Sequence, residues 1–137
     1  MRGPVIVDTN VLVAGLLTRD AQSPVARVLD AMLSAGFPFV VSESLLAEYR
    51  TVLIRLGLRK QHGMSVDEVE MLLTDIAHHA IVLQPAEGPV VPDPGDQLLW
   101  DLLATRSDLT LVTGDMALQA DKAMRRRVLS PRQFLGG

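Results

Sequence analysis

The segment of residues 4–17, PVIVDTNVLVAGLL, carries the strongest indication of the fold. It begins with a short β-branched run, residues 4–7, which favours a β-strand. Asp8 ends that run, and an apolar stretch with helical character, residues 11–17, follows directly. A strand that leads at once into a helix is the repeating unit of α/β proteins, in which ligands bind beyond the carboxyl ends of the strands.

The rest of the chain repeats this alternation of strand and helix. Further strands are predicted at residues 37–41, 81–83, 109–112 and at Val128. Helices are predicted at residues 24–35, 42–56, 65–79, 93–105 and 115–124, and residues 57–63 and 130–137 are expected to be a basic connection and a short tail. This order predicts an α/β fold with a central parallel sheet of four to five strands and helices on both faces.

The composition fits one such domain over residues 1–137. Hydrophobic residues make up 48% of the 137 residues and aromatic residues only 4%, so the core must be aliphatic. The absence of cysteine excludes disulfides and thiolate metal sites. No apolar run approaches the length of a membrane span and the N-terminus lacks the form of a signal peptide, so we expect a cytoplasmic protein without a membrane partner.

The charge balance restricts the kind of nucleic-acid partner. The formal net charge is −3, whereas a protein that coats nucleic acid through charge alone is normally basic. An enzyme whose bound cations offset an acidic site remains compatible with this charge.

Two acidic residues lie just beyond predicted strands. Asp8 closes the first strand, and Asp115 follows the strand at 109–112 after Thr113 and Gly114. Gly114 is expected to permit the tight turn that directs Asp115 into the crevice at the strand ends. We therefore predict that both carboxylates point into one crevice.

Two further acidic residues are candidates for the same crevice. Asp96 lies in the first turn of a predicted helix, and Glu48 borders the apolar stripe of another. Four carboxylates together would repel each other, and a hard divalent cation such as Mg²⁺ or Mn²⁺ resolves that conflict because it prefers oxygen ligands. A water bound to such a cation becomes more acidic and can attack a phosphodiester.

Several motifs, in this order, resemble those of the PIN-domain family of nucleases. Asp8-Thr9-Asn10 and the following apolar residues look like the opening signature of that family, and residues 42–49 (SESLLAEY), with Glu48, resemble its second motif. Residues 93–96 (DPGD), 112–115 (VTGD) and 130–135 (SPRQFL) are similar to motifs of one bacterial subgroup.

The resemblance implies a specific fold and function. The fold is the three-layer PIN fold, and the activity is cleavage of single-stranded RNA with Mg²⁺ or Mn²⁺ at Asp8, Glu48, Asp96 and Asp115. The subgroup consists of VapC-like toxins of toxin–antitoxin pairs, which implies an antitoxin partner and a homodimer. The chain departs from the subgroup at Gly95, where another acidic residue is frequent, and at Gln97.

Each candidate also has a structural interpretation. Asp8 and Asp115 can be helix-cap or turn residues, and Glu48 can be a solvated helix residue. Asp93 fits an N-cap before Pro94, although it can also support the site, and Asp96 can face the positive end of its helix.

Asn10 and Thr113 can orient carboxylates or waters, or they can serve turns and caps. Asp101 is expected to lie outside the metal site, about 140° around the helix from Asp96.

The basic residues and the histidines give weaker indications. Arg125, Arg126 and Arg127, and also Arg59 and Lys60, can contact RNA phosphates, but small charge runs are usually solvated surfaces. The three histidines show no spacing typical of metal ligands and are expected at the surface.

Three functions compete at this stage. The first is a metal-dependent endoribonuclease, and the second is a catalytically silent PIN-like module that binds RNA or a partner protein. The third is another Mg²⁺ enzyme such as a phosphatase; Asn10 stands where an aspartyl-phosphate mechanism needs a second acid, and no phosphate-binding glycine motif is present.

Overall fold

The protein alternates short parallel strands with helices, as the sequence predicts. A computed structural model describes residues 3–88, 90, 94–121 and 124–136. The strands within these residues are β1 (Val5–Val7), β2 (Val40–Val41), β3 (Ile81–Val82), β4 (Thr110–Val112) and β5 (Val128–Leu129). The fold is therefore of the α/β class.

The strands pair in two groups. A three-stranded parallel sheet has the order β1-β4-β5, with Val5 opposite Thr110 and Val7 opposite Val112. β2 and β3 pair with each other, also in parallel, and a single bridge between Val5 and Phe39 connects this pair to β1. The prediction of a parallel sheet is confirmed, but only three strands pair continuously, so a sheet of four to five strands is not fully formed.

Helices flank the strands in the described part of the chain. They are α1 (Thr9–Leu17), α2 (Pro24–Leu33), α3 (Glu43–Leu53), α4 (Leu56–His62), α5 (Val66–His79), α6 (Gln97–Thr105), α7 (Met116–Ala120) and α8 (Pro131–Gly136). Serine side chains cap three of these helices: Ser23 caps α2, Ser42 caps α3, and Ser65 forms a capping box with Glu68 at α5. None of the described helices is long and apolar enough to cross a membrane.

Two predicted irregular segments are helical instead. Residues 57–63, expected to be a connection, form most of α4, which ends at Gly63 in the left-handed conformation with φ 74°. The ring of His62 contacts the Leu53 carbonyl oxygen at 2.9 Å and accepts from the Met64 amide at 2.9 Å, and these contacts fasten α4 to its neighbours. The expected tail contains α8, because Ser130 and Gln133 form reciprocal hydrogen bonds that start a helix.

The core is aliphatic and surrounds the strands. Ile6 and Leu111 on the sheet, Leu12 on α1, Leu45 on α3 and Leu103 on α6 are all fully buried. Full burial of such a side chain contributes roughly 1.5–3 kcal/mol, so the core holds the carboxyl ends of β1 and β4 side by side. That edge of the sheet carries the predicted acidic residues.

Candidate functional site

Asp8 and Thr113 follow the two adjacent strands and meet at their carboxyl ends. Because Val7 of β1 pairs with Val112 of β4, the next residue on each strand comes into contact. The Thr113 hydroxyl donates a hydrogen bond to Asp8 Oδ2 at 2.7 Å, and both residues are buried. The Asp8 carboxyl accepts the amide of the next residue, Thr9, but it makes no side-chain capping hydrogen bond of the kind that Ser23 or Ser42 makes, so helix capping alone does not account for Asp8.

Asn10 joins the same cluster from the first turn of α1. Its Nδ2 lies 3.3 Å from both Asp8 Oδ2 and Thr113 Oγ1, and its Oδ1 accepts the Gly114 amide at 3.1 Å. The Thr113 hydroxyl also accepts the Asp115 amide at 3.0 Å. Asn10 and Thr113 therefore contact the Asp8 carboxylate and also hold the backbone at residues 114–115, so contacts of both kinds considered from the sequence are present.

Asp115 lies on the cleft but also caps a helix. One carboxylate oxygen, Oδ1, accepts the amide of Ala117 at 2.8 Å at the start of α7. Gly114 has no positive φ in the structure, and a Cβ at this position would stand 3.6 Å from Asn10 Oδ1, an ordinary contact. The turn to Asp115 therefore does not depend on a backbone conformation that only glycine adopts.

Glu48 reaches the site from α3. The Thr9 hydroxyl donates a hydrogen bond to Glu48 Oε2, which connects α1 to α3 beside Asp8. The adjacent residue, Tyr49, is fully buried and donates its hydroxyl hydrogen bond to the Val7 carbonyl oxygen. These two hydrogen bonds fix α3 against the end of β1 and hold Glu48 near Asp8.

Asp96 joins the cleft from the start of α6. It ends a 3₁₀ turn, Pro94–Asp96, and occupies the N-cap position of α6 without a side-chain capping hydrogen bond. It is half-buried. Asp93 lies outside the described residues, so its supporting role remains a prediction.

All four predicted acidic residues line one cleft of about 550 Å³. These four residues, Asp8, Glu48, Asp96 and Asp115, come from four separate segments of the chain. Thr9 and Asn10, which follow Asp8 directly, also line the cleft. The rest of the wall is mostly apolar and consists of Val13, Ala14, Leu17, Val52, Gly95 and Leu99. The cleft thus combines an acidic region with an aliphatic wall.

The electrostatic environment of Asp8 reflects its burial and its neighbours. Burial raises the pKa of the Asp8 carboxyl, while hydrogen bonds from the Thr113 hydroxyl and the Thr9 amide lower it. The negative charges of Glu48 and Asp96 raise the pKa of Asp8 further. Burial, followed by the charges of Asp8 and Glu48, also raises the pKa of the Tyr49 hydroxyl, which therefore stays protonated as a donor.

The donor chemistry of the cleft fits a divalent cation, although the ligands are not preassembled. Carboxylate oxygens are the ligands that Mg²⁺ and Mn²⁺ prefer. Within the described residues, however, no group of three or more His, Asp or Glu side chains stands close enough to hold a metal ion. Mutual repulsion keeps uncompensated carboxylates apart, so we expect the ligands to approach one another when a cation binds.

Asp101 and Gln97 form a contact away from the cleft. Asp101 Oδ1 accepts hydrogen bonds from the Gly88 amide and from Gln97 Nε2, both at 2.8 Å. Gly88 lies so close to α6 that a Cβ would stand 2.6 Å from the Trp100 carbonyl oxygen. Asp101 therefore anchors the preceding loop on α6, and Gln97, one of the departures from the subgroup motif, takes part in that anchor.

The three consecutive arginines have different environments. The Arg127 guanidinium donates to the carbonyl oxygens of Leu103, Arg106 and Leu109, at 2.7, 2.6 and 3.2 Å, so it connects β5 to the segment before β4. Arg125 and Arg126 are exposed. We keep RNA contact as a prediction for Arg125 and Arg126 and assign Arg127 to the support of the fold.

Thr9 and Tyr49 are two positioning residues that the sequence did not single out. In the sequence, Thr9 stands out only as part of the opening motif, and Tyr49 only as the last residue of the segment 42–49. The available signal was their polarity, because a buried hydroxyl requires a hydrogen-bond partner.

The comparisons with known proteins agree with this geometry. Residues 4–117 match the family model described as PIN domain. No curated protein matches the chain. The PIN domain is a nuclease-type fold, which supports a nuclease role in general, and PIN nucleases usually use Mg²⁺ or Mn²⁺ and bind RNA.

Proposed function

Because the chain belongs to the PIN-domain family, we propose that it is an endoribonuclease that hydrolyses phosphodiester bonds of single-stranded RNA with Mg²⁺ or Mn²⁺. The observation that carries the proposal is the convergence of Asp8, Glu48, Asp96 and Asp115 on one cleft. These residues are separated by up to 107 positions in the chain, from Asp8 to Asp115, so chance proximity along the sequence does not account for their convergence.

The four acidic residues would hold the cation. When bound, the divalent cation supplies an activated water and shields the charge of the phosphate. Asp8 is held for this role by Thr113 and Asn10, and Glu48 is held by Thr9. Asp115 keeps one oxygen on the amide of Ala117 and would use its other oxygen to bind the cation.

The apolar wall supports a strand with unpaired bases as substrate. Val13, Ala14 and Leu17 lie along one side of α1 within the cleft, and Val52 faces the same space. Aliphatic side chains contact a base or ribose that is free of pairing, whereas a duplex presents mainly its charged backbone.

The biological role is proposed from the sequence motifs. We propose a single domain over residues 1–137 that acts as the VapC-like toxin of a toxin–antitoxin pair, in the cytoplasm, with an antitoxin protein as partner and with homodimer formation. The motifs at 93–96, 112–115 and 130–135 support this assignment.

A cleavage assay tests the chemistry. The purified protein is incubated with single-stranded RNA in Mn²⁺, in Mg²⁺ and in EDTA, alongside Asp8→Asn and the control Asp101→Asn, whose side chain only anchors a loop. We expect cleavage by the wild type and by Asp101→Asn in either metal and none in EDTA or with Asp8→Asn. Cleavage that persists after chelation and in Asp8→Asn refutes the proposal.

A catalytically silent module that binds RNA or a partner is the second candidate. The observation that favours it is the lack of a preassembled group of three ligands among the described residues. Calorimetric titration with Mn²⁺ separates the two functions. Saturable Mn²⁺ binding that Asp8→Asn removes, together with RNA turnover, eliminates the silent module, whereas RNA binding without either result supports it.

A further inference from the structure

A second cavity, of about 430 Å³, lies at the far end of α1. It is formed by the loop between α1 and α2, the first turns of α2, and α8. Its lining includes Asp20, Gln22, Arg27, Arg132 and Leu135. Two positive side chains from distant parts of the sequence therefore face one cavity in a protein whose formal net charge is −3.

The two arginines of this cavity are unengaged, unlike other arginines of the protein. Neither the Arg27 nor the Arg132 side chain forms an ion pair or a hydrogen bond within the part of the chain that the structure describes, and both are exposed. By contrast, Arg50 pairs with Glu70, and Arg127 donates to three carbonyl oxygens. The guanidinium groups at positions 27 and 132 are thus available to a ligand.

The charge of the cavity favours an anion. Asp20 is the one acidic residue of its lining, and Asp20 Oδ1 already accepts the Gln22 amide at 2.9 Å. Two guanidinium groups outweigh this carboxylate, and each presents a planar set of donors suited to phosphate oxygens.

The cavity adjoins the acidic cleft. Leu17 lines the cleft, and Asp20, only three residues further along the chain, lines the cavity. Three consecutive peptide units span at most about 11 Å, so a strand that leaves the cleft along α1 comes within reach of the arginines.

We propose that Arg27 and Arg132 bind a backbone phosphate of the RNA strand that lies several nucleotides away from the phosphate that is cleaved, because α1 separates the two sites. This inference rests on the proposed nuclease function and adds a flanking phosphate site to it. The acidic residues would take the scissile phosphate through a cation, and the arginines would hold the continuing strand directly.

The test compares two substrates and two double variants. Dissociation constants are measured by fluorescence anisotropy for a single-stranded RNA of roughly 12 nucleotides, within the site sizes of single-strand-binding grooves, and for a dinucleotide, with Ca²⁺ in place of Mg²⁺ to keep the strand intact. The variant is Arg27→Gln/Arg132→Gln. The matched control is Arg55→Gln/Arg106→Gln, which removes the same charge from exposed side chains that do not line this cavity.

We expect the Arg27→Gln/Arg132→Gln variant to raise the dissociation constant for the longer RNA about tenfold, because charge-assisted hydrogen bonds are lost. The slope of log affinity against log salt should fall by about 0.7 for the lost phosphate contact. Dinucleotide binding should not change, and melting temperatures should confirm that all variants fold. Equal effects of the two double variants, or equal effects on both substrates, overturn the inference.

A parallel cleavage assay in Mn²⁺ separates this inference from the function on which it rests. If the wild type binds RNA without cutting it, the nuclease proposal fails while the anisotropy comparison still decides the phosphate site. If the wild type cuts RNA and the arginine variant keeps its KM for the longer strand, only the phosphate site is rejected. If the wild type does not bind RNA, both are rejected.

Discussion

Asp8 and Asp115 occupy equivalent positions, yet they are held in different ways. Each follows a strand of the parallel sheet and stands immediately before a helix. Asp115 is half-exposed and uses one oxygen to cap α7, whereas Asp8 is buried and makes no side-chain capping hydrogen bond to α1. Asp8 instead accepts hydrogen bonds from the hydroxyl of Thr113 and from the side-chain amide, Nδ2, of Asn10.

The difference separates a carboxylate that stabilises a helix, Asp115, from one whose charge the fold does not require for capping, Asp8. A side chain that caps a helix lowers the energy of the fold by about 1 kcal/mol, which suffices to explain its presence. A buried carboxylate without a capping bond costs stability, because its charge is partly desolvated. Helix capping therefore does not account for the charge of Asp8, which fits the ligand-binding role proposed for it, whereas for Asp115 the cap and the proposed role are both available.

The largest expected effect is the loss of RNA cleavage in Asp8→Asn. Removal of a metal ligand should reduce the rate by about 10³-fold, corresponding to several kcal/mol of lost stabilisation. Asp115→Asn should reduce the rate less, because its carboxylate shares its oxygens with a cap. The measurement is cleavage of labelled RNA in Mn²⁺, and a smaller loss for Asp8→Asn than for Asp115→Asn would reverse the comparison.

Thr113→Val should produce the next largest effect. The substitution keeps the shape of a fully buried side chain but removes the hydrogen bonds to Asp8 and to the Asp115 amide. Loss of such a supporting contact should weaken Mn²⁺ affinity by about 10–100-fold, measured by calorimetry. Thr113→Ser keeps the hydroxyl and should retain most of the affinity; equal affinities for the two variants would contradict a positioning role.

The two roles of Asp115, the cap of α7 and the proposed cation ligand, can be separated by comparing the Asp115→Asn and Asp115→Ala variants. Asparagine is as good an N-cap as aspartate, so Asp115→Asn should leave the free energy of unfolding nearly unchanged while cleavage falls. Asp115→Ala should lose the cap as well and cost about 1 kcal/mol. Urea unfolding measures the difference, and equal stabilities of the two variants would show that the cap contributes nothing.

The smallest expected effect concerns stability against pH. Because burial raises the pKa of Asp8 in the folded protein, the folded state retains its proton to higher pH than the unfolded state. Ionisation of Asp8 therefore lowers the stability of the folded protein. This loss of stability is absent at pH values below the pKa of Asp8 in the unfolded chain and complete at pH values above its pKa in the folded protein. In EDTA, Asp8→Asn should therefore be more stable than the wild type at neutral pH, and this difference should vanish on acidification.

Thermal unfolding at a series of pH values measures this difference, and Asp101→Asn is the control. Its carboxylate accepts two hydrogen bonds outside the cleft, so that substitution should not produce the same gain. A wild type that is more stable than Asp8→Asn at neutral pH in EDTA would contradict the assigned burial penalty.

Local sequence patterns predicted the elements whose signals lie within a few residues. The capping box of Ser65 and Glu68, and the proline that follows Ser23, placed two helix starts correctly. The same capping pattern is present at Ser130 and Gln133, so the sequence also contains the signal for the start of α8. No local pattern predicts α4, because Gly57 disfavours a helix. The contacts that hold α4, between His62 and residues outside the helix, exist only in the folded protein.

The acidic residues were predictable from their positions after strands, but their supporting contacts were not. The contact of Thr113 with Asp8 spans 105 positions and that of Thr9 with Glu48 spans 39. Such pairs depend on strand register and helix packing, which no local pattern specifies. For the same reason the sequence did not reveal that Asp101 anchors Gly88 or that Arg127 faces backbone carbonyls.

The hydrogen bonds around Thr113 have one fixed direction. A hydroxyl has one proton to donate and two lone pairs, and Thr113 gives its proton to Asp8 while it accepts from Asn10 and from the Asp115 amide. Since the Gly114 amide fixes the orientation of the Asn10 carboxamide, every polarised bond in the cluster runs toward Asp8 Oδ2. The side chain at position 10 must therefore donate a hydrogen bond to Asp8 and to Thr113. An aspartate has the same size as the asparagine, but it could donate in its place only if its carboxyl group were protonated.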